Sequence, residues 1–242
     1  MNKTYLYPYS SEEARRRNEL SLWRASHREN LSCKNAIELA IRTYFDGMHL
    51  EEGCAEKVIR DFGYKRVQWV LSHTVQQLDW SDCYSQANKD WARQTHIPKD
   101  RAHVTDLIIE SAPSVVDSFV TQYRHEYQAL GLFGSNQCEA NSFEALDYEG
   151  KVLVLSPDTL KESCWSQENQ LWYAHDGFGC HPNAIGRSIR CTCLGDGEMT
   201  RWNRTDFIGV LDEQYLPDWA AEKLTQLTGQ KQTAPTMGGM TM

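Results

Sequence analysis

The chain has 242 residues, 40% of them hydrophobic and 11% aromatic, and its 33 acidic against 25 basic side chains leave a net charge of −8. That composition supports one large or two ordinary globular domains, and no stretch approaches the roughly 18 apolar residues of a membrane span. The opening MNKTYLYPYSSEEARRR lacks the apolar core of a secretory signal, so a cytoplasmic location is expected.

In chain order, Ser10-Ser11 followed by Glu12-Glu13 marks a helix start, with acidic side chains at the positive end of the dipole. Leu20, Trp23 and His27 recur at helical spacing. After Asn30 a second stripe runs through Leu31, Cys33, Ile37, Ala40, Ile41 and Tyr44 to a stop at Gly47. Further helices are predicted over 53–61, 64–78, 83–94, 100–110 and 113–130, the last with Pro113 in its first turn and Gly131 at its end. The segment FGSNQCEANSFEALDYEG (133–150) loses helical period, and the domain boundary is placed there. Beyond it KVLVLSP and QLWYAHDG read as strands. RSIRCTCLGDGEMTRWNRTDFIGVL reads as a hairpin turning at Gly195-Asp196-Gly197. An amphipathic helix over 216–227 closes the fold, and the tail from 229 onward is expected to be disordered.

These elements give an α+β protein: a helical domain over 1–135, a smaller β-rich domain over 150–228 with a closing helix, and a tail over 229–242. Charge divides with them. Residues 1–140 carry 17 Lys/Arg and 19 Asp/Glu, a balance of −2, and residues 141–242 carry 8 and 14, a balance of −6. An acidic surface repels phosphate and suits a basic protein partner. No direct nucleic acid binding is expected.

The sharpest chemical signal is CWSQENQLWYAHDGFGCHPNAIGRSIRCTC, which packs four of the eight cysteines and two of the eight histidines into residues 164–193. In a reducing compartment such thiols point to metal ligation or burial rather than disulfides. Cys164, His175, Cys180 and Cys193, with His181 and Cys191 as alternates, supply donors for a tetrahedral structural zinc. In a strand Cys191 and Cys193 share a face.

A hydrolytic use of the same residues is less well supported. Cys180-His181 are adjacent in a turn, which does not present a nucleophile to its base. His175-Asp176 lies beside two glycines rather than on the helix that a metal phosphohydrolase pair occupies. No catalytic residue is assigned. Arg201, Trp202 and Arg204 form a candidate partner-binding edge.

LYPYSSEEARRRNELSLWRASHRENLSCKNAIE, GYKRVQWVLSHTVQQLDW and LSPDTLKESCWSQENQLWYAHDGFGC together resemble an uncharacterised domain family of accessory proteins on conjugative and integrative elements of gut Firmicutes. The resemblance spans roughly residues 5 to 225 and carries no established chemistry. It implies a setting in which proteins protect incoming DNA. The resulting expectation is a non-enzymatic anti-CRISPR inhibitor that binds a type II RNA-guided nuclease, whose channels are positively charged. The alternatives are a metal-dependent hydrolase acting on nucleotide or protein, and a regulatory or structural module of conjugation.

Overall fold

A computed structural model describes residues 5–100 and 102–232. The chain divides into two compact units, Met1–Ala129 and Leu130–Met242, the first helical and the second built on an antiparallel sheet.

In the helical unit α1 (Ser11–Arg16) starts at Ser10, whose hydroxyl accepts from the Glu13 amide at 3.3 Å. Asn18, at φ 59°, ends it in the left-handed conformation that asparagine tolerates best among non-glycine residues. From there α2 (Leu20–Tyr44) runs unbroken for 25 residues. The helix break therefore falls at Asn18, and not at Asn30 as the apolar stripes suggested. Asn30 is buried and accepts from Arg66, so it serves packing.

Gly53, at φ 76°, opens α3 (Cys54–Phe62), and Gly63, at φ 85°, turns the chain into α4 (Tyr64–Gln77). Ser85 caps α5 (Gln86–Arg93), and α6 (Pro113–Ala129) completes the unit. Cys33, Ile37, Val58, Val67, Leu71, Phe119 and Tyr123 lie at its core, each 3% exposed or less.

Residues 102–107 form successive turns rather than the expected helix. The Thr74 hydroxyl donates to Leu107 O and accepts from the Ile109 amide, both at 3.2 Å. Those two bonds tie the end of the segment to α4.

In the second unit β1 (Val152–Leu155), β2 (Leu171–Asp176), β3 (Ser188–Cys193), β4 (Met199–Asn203) and β5 (Phe207–Val210) form one sheet in the order β4-β3-β2-β1-β5, antiparallel throughout. The expected β3–β4 hairpin is present, while β5 leaves it and pairs with β1 at the opposite edge. Short helices α7 (Ser142–Ala145) and α8 (Gln167–Gln170) interrupt the connections.

Alternation sorts the strands onto two faces. Leu153, Leu155, Trp172, Ala174, Ile189, Cys191 and Cys193 share one core. Val152, Val154, Leu171 and Tyr173 join another with Ala220 of α9 (Asp218–Gln232). The closing helix thus takes in residues 229–232 of the expected tail, and 233–242 lie outside the described residues. Residues 130–149 belong to this unit, where Phe133 and Tyr148 are core residues. Among the described residues no helix is long and apolar enough to cross a membrane.

Candidate functional site

The residues expected around zinc are dispersed. Cys164 is exposed in the 3-10 turn Glu162–Cys164. His175 follows Ala174 on β2 and so points to the face opposite Cys191 and Cys193, where its Nε2 lies 2.7 Å from the Thr192 hydroxyl. Cys180, Cys191 and Cys193 are buried among apolar side chains. Burial pushes the Cys180 thiol up to about 11 and the Cys191 thiol up to about 12, and it raises Cys193 as well. Cys193 donates to Glu168 O at 3.3 Å. Exposed His181 pairs with Asp147 at 2.6 Å.

No three of these six side chains bring ligand atoms within 4.8 Å of one another. The set Cys164, His175, Cys180 and Cys193, with alternates His181 and Cys191, is therefore not assembled as a four-donor site. The β2–β3 register is one reason, because pairing Ala174 with Cys191 and Trp172 with Cys193 leaves His175 on the face opposite those two thiols. The shared face of Cys191 and Cys193 is as expected.

The Arg201–Trp202–Arg204 edge is also revised. Arg204 is 1% exposed, and its guanidinium donates to the carbonyls of Phe143, Leu146, Gly179 and Cys180. It stacks 3.7 Å over the Tyr148 ring. Trp202 packs edge-on against Trp172 at 5.5 Å, and of the three only Arg201 lies in the open. An arginine that satisfies four inward carbonyls is a tie within the fold, and a partner cannot reach it.

The chemistry that does converge lies in the helical unit. A cleft of about 470 Å³ opens between α2, α4 and the segments 7–10, 97–100 and 103–107. Two Trp-x-x-x-His pairs wall it, each one helical turn long. On α2 Trp23 stacks on His27, with centroids 4.7 Å apart and planes at 12°. On α4 Trp69 stacks on His73 at 5.6 Å and 19°. Tyr7 and Tyr9 add a third aromatic edge, anchored where the Tyr7 hydroxyl donates to Glu19 at 2.7 Å and its amide to the Ser26 hydroxyl at 3.0 Å. Below them Arg66 is buried and donates to Ser26 O and to the Asn30 side chain.

His73 is 5% exposed, and its Nδ1 has no hydrogen-bond partner among the described residues. Burial, with a smaller contribution from His27, pushes its pKa down to about 4, so the ring is neutral at ordinary pH. A buried polar atom without a partner is rare in a folded protein and calls for an explanation.

At one end of the cleft the turns at 102–107 bring His103 and Asp106 to His27. Asp106 Oδ2 lies 2.8 Å from His103 Nδ1 and 3.4 Å from His27 Nε2. The two imidazole centroids are 5.1 Å apart, and the tilted Trp23 ring also lies 4.7 Å from His103. Burial lowers the His27 pKa, followed by the like charge of His103, while the hydrogen bond to His103 leads in lowering that of Asp106. Among the described residues this is the one group of three His, Cys, Asp or Glu side chains whose ligand atoms all lie within 4.8 Å of one another.

A neighbouring depression shares Trp23, Lys99, Asp100 and His103 with the cleft and adds Arg15 and Arg24. Sequence reading placed His27 on its helix but gave it no chemistry, and it passed over His73, His103 and Asp106. The signal present was the repeated Trp-x-x-x-His and the His103-x-x-Asp106 spacing.

Comparison with curated proteins and with solved structures gave no match. Residues 6–128, which contain every residue of the cleft named above, match a family model described as a protein of unknown function, DUF3849, and the chain belongs to that family.

Proposed function

We propose that the helical unit is a binding module for a small ring-bearing anion of nucleotide size. One observation carries this reading: the cleft is walled by stacked Trp-His pairs and holds a buried histidine nitrogen with no partner among the described residues. Its volume falls within the roughly 300–1,000 Å³ usual for small-molecule sites, and its lining has the expected mix of aromatic walls and a few polar atoms. A neutral His73 can donate or accept through Nδ1, according to tautomer. A flat heteroaromatic ring between Trp faces could complete that bond. Arg15, Arg24 and Lys99 in the adjoining depression, against Glu12 and Asp100, leave one positive charge in excess for the anionic part.

Titration calorimetry of the full chain with nucleotides, nucleosides and free bases is the test. Saturable binding is expected, tightest for the nucleotides and lost in His73→Phe and Trp23→Ala. Absence of saturable binding across all three classes would refute the reading.

A second reading concerns the other unit and a protein partner. Phe178 and Ile185, on the loop between β2 and β3, are 75% and 101% exposed, an apolar pair on an acidic chain. They fit the expectation of an antagonist from a mobile element that engages a type II RNA-guided nuclease. Co-purification with such an effector, with and without guide RNA, checks it. Retention of the wild type with loss of Phe178→Ser is the supporting result.

A further inference from the structure

We propose that His27, His103 and Asp106 bind a divalent transition-metal cation of the zinc type at the edge of the cleft, through His27 Nε2, His103 Nδ1 and an Asp106 carboxylate oxygen. The inference deepens the ligand reading of the same cleft, and rests on it only for what completes the coordination sphere.

One of the distances fits shared ligation of a cation better than a hydrogen bond. A His–Asp hydrogen bond explains the 2.8 Å between His103 and Asp106. The 3.4 Å between His27 and Asp106 is long for such a bond. It matches the separation of roughly 3.3 Å that follows for two ligands each about 2.0–2.1 Å from a tetrahedral zinc. The third pair, His27 with His103, also has its nitrogens within 4.8 Å.

The supports are fixed from separate directions. His27 sits inside α2, two turns from its start, with Trp23 stacked on it, and its side chain is 14% exposed. His103 and Asp106 ride on turns whose far end is held by Thr74 through Leu107 O and the Ile109 amide. Two imidazoles and one carboxylate suit zinc, iron, cobalt or nickel, whereas calcium and magnesium take mainly oxygen donors. Three protein ligands leave coordination positions free. Since His27 and His103 both line the cleft, a phosphate oxygen of a ligand seated there is the donor chemistry that fits.

The experiment is titration of the full chain, stripped by chelator and dialysed, with Zn²⁺ and Co²⁺, using Mg²⁺ as the contrast. About one equivalent of Zn²⁺ or Co²⁺ should bind, and the cobalt spectrum should lack a thiolate charge-transfer band. His27→Gln and the more conservative Asp106→Asn should weaken binding by at least the roughly 10–100-fold that loss of an outer-shell partner costs, while Cys180→Ser and Cys193→Ser leave it unchanged. Histidine side-chain NMR on the wild type should show the His27 and His103 rings shifting with added Zn²⁺, which keeps the test independent of variant folding. No saturable binding, or binding that survives Asp106→Asn but is lost with the cysteines, overturns the proposal. Nucleotide binding by the stripped chain with no metal uptake would sink this inference while sparing the ligand reading. Metal uptake with no effect of nucleotide would do the reverse.

Discussion

Two side chains show how much single residues carry here. Arg204 donates from all three guanidinium nitrogens to four backbone carbonyls, with Tyr148 against its face. Methionine could fill much of the volume but would leave those carbonyls without their charged donor. Arg204→Met should therefore destabilise the second unit by about 3–5 kcal/mol, in the range for breaking a buried charged interaction. Urea unfolding followed by tryptophan fluorescence measures it. His73 gives a pH prediction. Its folded pKa of about 4 lies below the ordinary 6.5. As pH falls below about 6.5 the unfolded chain takes up a proton that the folded ring refuses until about pH 4. Stability should drop by up to about 3 kcal/mol across that window and then level off. His73→Phe should remove this part of the pH dependence, as read from the difference between the two stability profiles.

At the scale of elements, local chemistry set some boundaries and tertiary contacts set others. Ser10, Ser85, Gly53 and Gly63 mark helix ends by side-chain capping or positive φ, and most predicted helices stand within a few residues of expectation. Asn18 was missed as a break because it sits inside a polar stretch where no apolar stripe is interrupted. Its φ of 59° predicts that Asn18→Gly is tolerated, while Asn18→Val costs about 1–2 kcal/mol. Thermal unfolding of the two variants distinguishes them. The segment 102–107 could not be read correctly, because the bonds that hold it come from Thr74, far away in the chain. The turn after β2 has a similar dependence. A Cβ on Gly179 would lie 2.1 Å from Arg187 O, so close backbone approach requires glycine there.

At the scale of the whole chain, each core is supplied by one unit alone: Cys33 to Tyr123 for the helical unit, Phe133 to Ala220 for the sheet unit. Residues 1–129 should therefore fold without the rest and unfold cooperatively, as circular dichroism during thermal denaturation would show. The sequence by itself determined the order of a helical region before a β region, the β3–β4 hairpin and the common face of Cys191 and Cys193. Each follows from a local period or a turn residue that acts over a few neighbours. Only the tertiary structure decided that His175 lies on the face of the sheet opposite Cys191 and Cys193, that Arg204 turns inward, and that His27 meets His103 and Asp106. Density of donors along a chain is a one-dimensional quantity. Convergence on a point depends on which faces the fold brings together, and long-range packing sets that.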